Sequence, residues 1–151
     1  MGAPYAIQNL YIDGGDHVVQ PGVEFVFGEE GNFSLDYGTL TAVGTPQQPI
    51  IFRGLEATPG WWEDLYLDGS AARFEYVEVR HGGFQDFGAD RSITVNDSYF
   101  EINNSVVADG MGVGIACIFD GEVNVGVQTR FENLAGGPYG IDDTCASFVA
   151  P

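Results

Sequence analysis

The sequence predicts an all-β fold, a right-handed parallel β-helix (β-solenoid) of about six or seven short coils with capped ends. Three observations point to this fold: short runs of alternating apolar residues, turn residues between the runs, and almost no helical pattern. Alternation is typical of strands that bury every second side chain. No window places apolar residues at i, i+3, i+4 and i+7 among good helix formers, so we expect no helices.

The apolar runs are short and are spread along the whole chain. Their clearest members are Val23, Phe25 and Phe27; Leu40 and Ala42; Ile50 and Phe52; Leu65 and Leu67; Val77 and Val79; Phe100 and Ile102; Ile115 and Cys117; and Val123 and Val125. Clusters of Gly, Asn, Asp and Pro separate them, and few of these clusters resemble tight hairpin turns. A β-sandwich needs strands of about five or six residues and clearer hairpins, so a parallel coil fits better.

The segment from Gly38 to Gly54 shows the strand pairing that we expect. Two alternating runs, 38–43 and 50–52, are joined by a connector that lacks the Asn-Gly or Asp-Gly dipeptide typical of hairpins. We therefore predict that each run pairs with the equivalent run one coil earlier and one coil later. A weak internal repeat with an irregular spacing of roughly 20 residues supports this arrangement, with glycines at the tight bends.

We expect a single β-helix domain across residues 1–151, as a fragment of a larger protein. Residues 1–6 are interpreted as an added start or a cap, and residues 138–151 as a C-terminal cap or tail. A solenoid exposes unpaired strands at both ends, and these promote aggregation unless they are covered. Caps or a homodimer formed through the solenoid ends are therefore predicted.

The negative charge of the chain argues against nucleic acid and anionic bilayers as partners. The chain has 22 acidic residues, five arginines and no lysine, which gives a formal net charge of -17. Binding to nucleic acid or to an anionic bilayer needs clustered cations, so neither is expected. No apolar run approaches the ~20 residues of a membrane-spanning helix, so no membrane insertion is expected. The acidic surface is consistent with solubility, with a salty environment or with divalent-cation binding, and solubility is the simplest interpretation.

Residues 19–54 contain three motifs: Pro21-Gly22-Val23, the stretch Gly38 to Thr45, and Pro49-Ile50-Ile51-Phe52. Together these resemble the right-handed parallel β-helix (pectate-lyase-like) repeat domains of secreted bacterial surface proteins. Residues 74–83, 102–115 and 129–141 resemble later coils of such domains.

The resemblance implies an extracellular or cell-surface location and a non-catalytic structural or adhesive role. Polysaccharide or a neighbouring domain of the parent protein would be the partner. The alternative that it implies is a fragment of a polysaccharide-active enzyme, lyase-like or hydrolase-like, because one fold carries both kinds of activity. Whether the chain is an enzyme stays open at this stage, with a non-enzyme favoured.

Glu78, Arg80 and His81 are the candidate catalytic residues, with Asp86 and Asp90 on the segment that follows. A histidine beside carboxylates can act as acid and base. The competing interpretation is that His81 is a corner residue that ends a coil.

Trp61, Trp62 and Tyr66 are the candidate carbohydrate-binding residues, because exposed aromatic rings offer stacking faces to sugars. One tryptophan can pack inward while the other faces the ligand. Glu63 and Asp64 follow the tryptophan pair and are expected to be solvated.

Asp13 and Asp16 flank two glycines and are the candidate metal ligands. Calcium needs six to eight oxygen ligands, and no segment has EF-hand spacing. The expectation is therefore no cofactor, with a single Ca²⁺ as the alternative.

Cys117 and Cys145 are the only cysteines and are separated by 28 residues, a little over one coil. Residues stacked on adjacent coils have Cα atoms close enough for a disulfide. A bridge would fix the C-terminal tail to the last full coil, and two unbridged thiols are the alternative.

Overall fold

The computed structural model describes residues 6–84 and 90–151. Over these ranges the fold is all-β without a helix, and parallel strands stack as a β-solenoid of about five turns. The predicted fold class is confirmed, and the expected six or seven coils were slightly too many. The excess arose because some apolar runs taken as separate coils lie on different faces of one coil, as the runs at Ile115 and Val123 do.

The strands follow one another with short connections. In chain order they are β1 (Ile7–Asp13), β2 (Asp16–Val19), β3 (Glu24–Asp36), β4 (Thr39–Val43), β5 (Ile50–Gly54), β6 (Leu65–Asp68), β7 (Ala71–Glu75), β8 (Val77–Arg80), β9 (Arg91–Asn96), β10 (Tyr99–Asn103), β11 (Val106–Ala108), β12 (Val113–Ile118), β13 (Glu122–Val125), β14 (Arg130–Glu132), β15 (Tyr139–Ile141) and β16 (Ser147–Val149).

Each complete coil supplies one strand segment to each of three faces. The first face contains the start of β3, then β5, β8, β11 and β14. The second contains most of β1, the end of β3, then β6, β9, β12 and β15. The third contains β2, β4, β7, β10, β13 and β16. We call the first corner the connection from the first face to the second, and the second corner that from the second face to the third.

The pairing predicted for the segment from Gly38 to Gly54 is confirmed. β4 pairs in parallel with β2 and β7, while β5 pairs in parallel with β3 and β8. The connector between β4 and β5 is closed by an isolated antiparallel bridge between Thr45 and Gln48. Neighbours along the chain therefore belong to different faces, and each finds its hydrogen-bond partners one coil away.

The core consists of apolar side chains stacked in columns along the solenoid axis. Phe25, Phe52 and Val79 are in register at successive coils, each 27 residues after the last, so the repeat is longer than the expected value. Phe52 also stacks on Phe74 across the interior, with 5.7 Å between the ring centroids. Full burial of such a side chain contributes about 1.5–3 kcal/mol, so the stacked columns are the main source of stability.

Corners are built differently from the glycine bends that we expected. Ten described residues other than glycine have a positive φ, compared with seven glycines. Asp97 and Asn104 are examples, and short polar side chains of this kind tolerate the left-handed region better than most residues.

The two corners differ in length. The second corner holds two residues in four successive coils, whereas ten residues separate β5 from β6, and β8 from β9, at the first corner.

Residues 138–151 include two strands of the final coil. β15 pairs with β12, and β16 pairs with β13. Tyr139 and Phe148 pack against the buried cluster with 4.9 Å between their ring centroids, so this segment covers the C-terminal end of the core. Across the described ranges, no helix is long and apolar enough to cross a membrane.

Candidate functional site

The two adjacent tryptophans have opposite environments. Trp62 is completely buried, stacks on Phe27 with 4.4 Å between ring centroids, and donates a hydrogen bond from Nε1 to the Arg80 carbonyl over 2.7 Å. The assignment of Trp62 to a sugar-binding face was therefore wrong, because its ring fills the core beneath the first corner. Trp61 is half-buried and remains accessible.

Trp61 lines a pocket of about 260 Å³ at the first corner, which we call the corner pocket. Its walls combine apolar side chains with two carboxylates. The lining residues are Glu29, Glu30, Thr58, Pro59, Gly60, Trp61, Phe84 and Met111. The pocket thus joins the first corners of four successive coils.

Backbone hydrogen bonds fix the position of Trp61. Its carbonyl accepts from the Glu30 N–H over 2.9 Å, and its own N–H donates to the carbonyls of His81 (2.9 Å) and Thr58 (3.0 Å). One coil further, the Met111 N–H donates to the Gly82 carbonyl over 3.0 Å. Because these bonds continue the strand ladders through the corner, the pocket is held in shape without a ligand.

Two glycines make room for the pocket walls. A Cβ at Gly54 would lie 2.9 Å from both Cβ and Cδ1 of Trp61, so the indole occupies the space that a side chain would need. Gly60 has a φ of +74°, and a Cβ there would lie 2.7 Å from Cε of Met111. Larger residues at either position would displace a wall of the pocket.

Tyr66 does not share the corner pocket with Trp61. It lies on β6 at the second face, in register with Ser34 and Thr94 of the neighbouring coils. It is half-buried, and desolvation together with the charge of Asp68 raises the pKa of its phenol. The three aromatic residues predicted to bind carbohydrate are therefore a core residue, a pocket residue and a face residue.

Asp64 is buried, at 4% exposure, although we expected it to be solvated. Its carboxylate accepts a hydrogen bond from the Thr94 hydroxyl, and desolvation by burial raises its pKa to about 7. Asp64 immediately precedes β6, and the alternation of that strand directs its side chain outward. The first corner of the next coil packs over this region and covers the side chain. There the Gly83 N–H donates to the Glu63 carbonyl over 2.6 Å.

Sequence reasoning missed the burial of Asp64 because the apolar periodicity predicts only whether a side chain points inward or outward from its own strand. It does not report that a connection from another coil covers the outer side. A signal was present in the paired glycines Gly82 and Gly83, because Gly83 has a φ of +106°, which favours glycine, and its N–H contacts the residue before Asp64.

The candidate catalytic residues lie at the end of β8, where ion pairs occupy two of them. Arg80 binds Glu78 through Nε (2.9 Å) and Asp109 through Nη1 (2.8 Å). His81 follows at the corner with a φ of +64°, and desolvation lowers the pKa of its imidazole, against an opposing effect of Asp109. Neither these side chains nor Asp90 line the corner pocket. Asp86 lies outside the described residues.

A second pocket, of about 300 Å³, lies near the C-terminal end of the second face. Arg91, Asp90 and Asp142 supply its charged groups, and its floor is mostly apolar. The apolar and glycine lining consists of Val113, Ala116, Ile118, Gly140 and Ile141. Sequence reasoning did not single out these charged residues as a group. Asp142 lies two coils after Asp90 and Arg91, and only the stacking of β9, β12 and β15 brings the three together.

Asp13 and Asp16 lie at the end of β1 and the start of β2. Asp16 accepts a hydrogen bond from the Thr39 hydroxyl over 2.7 Å, and Asp13 is in register with Asp36. Within residues 6–84 and 90–151, no group of three or more His, Cys, Asp or Glu residues is placed to hold a metal ion.

A disulfide joins Cys117 to Cys145, with 5.4 Å between the Cα atoms. Cys117 lies on β12 and is in register with Ile141, whereas Cys145 lies in the connection from β15 to β16. The bridge therefore runs from the interior of one coil to the second corner of the final coil.

Comparisons of this chain with protein-family models, with curated proteins and with solved structures found no match.

Proposed function

We propose that this chain is a non-catalytic structural or adhesive module of a secreted or cell-surface protein, and that it contacts carbohydrate at the corner pocket. The observation that carries the proposal is the preformed pocket with the accessible face of Trp61 as a wall. A flat aromatic face beside hydrogen-bonding groups suits a sugar ring, which has apolar C–H faces and a polar edge. The resemblance to bacterial pectate-lyase-like repeat domains supports the same role.

Pocket size limits the ligand. Sites for drug-sized molecules are typically about 300–1,000 Å³, and the corner pocket is about 260 Å³. We therefore expect it to accept one sugar ring of a longer chain, with neighbouring rings lying outside it.

The extracellular assignment is supported by the Cys117–Cys145 disulfide. Such bonds persist mainly in oxidising compartments, and a reducing cytosol would open most of them. The non-catalytic assignment is supported by the positions of Glu78, Arg80 and His81, because none of these side chains lines the corner pocket.

A screen of immobilised oligosaccharides tests this proposal. The hits are then titrated against the wild-type chain, Trp61→Ala and Tyr99→Ala by calorimetry. Tyr99 is a matched control because it is an exposed aromatic residue, at 43% exposure, on the third face. We expect Trp61→Ala to abolish binding and Tyr99→Ala to preserve it. Equal binding by both variants would refute the role of the corner pocket.

The second candidate function is a polysaccharide-active enzyme, and the pocket at Arg91 favours it. An arginine and two carboxylates line one pocket there, and these are the types of group that bond cleavage in a polysaccharide uses. The test is turnover of neutral and acidic polysaccharides, measured by the release of reducing ends. Activity that disappears in Arg91→Gln, but persists in Arg73→Gln on the third face, would establish this alternative.

Partner contacts at the solenoid ends remain part of the proposal. β2 and β16 are the terminal strands of the third face, and each has one ladder edge directed away from the stack. Edges of this kind pair readily with another chain, so a neighbouring domain or a second copy fits there.

A further inference from the structure

We propose that the corner pocket selects a sugar unit that carries a free, protonated amino group. This inference rests on the proposed carbohydrate contact and specifies its ligand class. It depends on the charge of the pocket rim, on the apolar walls and on the charge of the whole chain.

The rim of the pocket presents two carboxylates. Glu29 and Glu30 are consecutive, exposed and part of the lining. Among the described residues, neither side chain makes an ion pair or a side-chain hydrogen bond, since the five arginine ion pairs involve other carboxylates. Their acceptor capacity is therefore available to a ligand. An ammonium group offers three donors and no acceptor, which matches such a rim.

The same pocket is lined by the large apolar side chains of Trp61, Phe84 and Met111. A cation beside an indole or phenyl face is attracted by the negative face of the ring, and the attraction is stronger where water is excluded. A six-membered sugar ring can place its C–H face on Trp61 while its amino group reaches the glutamates. Acetylation of that amino group removes the charge and adds three heavy atoms to a small pocket.

The field of the whole chain favours a cationic ligand over an anionic one. The formal net charge is -17, and four of the five arginines are already paired with carboxylates. Negative potential of this kind concentrates cations and repels anions near the surface. Uronic-acid glycans are therefore poor ligands for this pocket.

The test compares three hexasaccharides of equal length at pH 5.5: one of glucosamine, one of N-acetylglucosamine and one of galacturonic acid. Each is titrated by calorimetry into the wild-type chain, Glu29→Gln/Glu30→Gln and the control Glu122→Gln. Glu122 is an exposed carboxylate on β13 at the third face, so its removal reports on general charge alone.

We expect the glucosamine chain to bind at least tenfold more tightly than the N-acetylated chain. The double variant should lose about tenfold in affinity for it, and Glu122→Gln should lose less than twofold. Equal affinity for the glucosamine and the N-acetylglucosamine hexasaccharides would overturn the inference while leaving the sugar contact intact. An equal loss of affinity in the double variant and in Glu122→Gln would do the same. If the wild-type chain binds none of the oligosaccharides, or if Trp61→Ala leaves the affinity unchanged, the proposed function itself is refuted.

Discussion

The indole of Trp62 and the phenyl ring of Phe27, from consecutive coils, stack with an interplanar angle of 10° and 4.4 Å between their centroids. The neighbouring Trp61 faces the corner pocket. Under the proposed function, Trp62 contributes to stability and Trp61 to ligand binding, so substitutions at the two positions should have different effects.

Trp62→Ala should lower the free energy of unfolding by about 3–5 kcal/mol, because it leaves a cavity and removes a buried hydrogen bond. Trp61→Ala should cost less than about 2 kcal/mol, because its ring is only partly buried. Urea unfolding followed by far-UV circular dichroism measures both values. Similar losses for the two variants would contradict the assignment of Trp62 to the core.

Asp64→Asn should change how stability depends on pH. In the folded chain Asp64 has a pKa of about 7, against an ordinary value of 3.8. The folded state therefore holds an additional proton between about pH 4 and pH 7, and the free energy of unfolding falls as the pH rises through this range. Asparagine removes that titration, so the variant should gain stability over the wild type by at most about 4 kcal/mol above pH 7.

The measurement is the difference between the two unfolding profiles from pH 4 to pH 8. The difference is needed because His81 acts in the opposite direction: burial lowers its pKa, so its contribution to stability declines as the pH falls. Asp97→Asn is the control, since Asp97 is exposed at a second corner. A flat difference for Asp64→Asn would show that the carboxyl does not titrate in the folded chain near neutral pH.

Removal of the disulfide should loosen the final coil first. The bond closes a loop with a sequence separation of 28 residues, and a loop of this size contributes about 3–4 kcal/mol through the entropy of the unfolded chain. In Cys117→Ala/Cys145→Ala, amide hydrogen exchange should accelerate in β15 and β16 more than in β6 and β7. Uniform acceleration throughout the chain would argue against a local role for the bond.

Gly54→Ala should weaken oligosaccharide binding at the corner pocket and lower the free energy of unfolding by about 1–3 kcal/mol, because the buried Cβ would also lie 3.0 Å from the Glu56 carbonyl oxygen. The added methyl group would press on Trp61 Cβ and Cδ1 and displace the indole. We expect a loss of tenfold or more in affinity by calorimetry. Retained affinity would mean that the indole adjusts without moving the pocket wall.

Arg80→Gln tests whether the end of β8 has only a structural role. Both ion pairs of Arg80 are partly exposed, so the loss in stability should be about 1 kcal/mol or less and should shrink at high salt. Oligosaccharide affinity should be unchanged. A loss of turnover on any polysaccharide would instead favour the enzyme interpretation.

Periodicity predicted the strands and their pairing well, because inward and outward positions must keep the same parity along a stacked ladder. Leu65 and Leu67 on β6 are both buried as predicted. The same rule fails at Trp62, since it precedes β6 at a corner, where the chain bends and alternation has no fixed direction. It also fails to reveal the burial of Asp64, because connections from other coils leave no periodic signal.

The two corners differ in length and therefore in how much sequence change they tolerate. With two residues at four of the second corners, a longer insertion there would shift the ladder on both sides. The first corner tolerates ten residues between β5 and β6 while the same strands stay in register. Under the proposed function, exchange of residues 55–60 for unrelated sequences would therefore change the ligand that is bound while the same scaffold is kept, with the variation confined to a single edge.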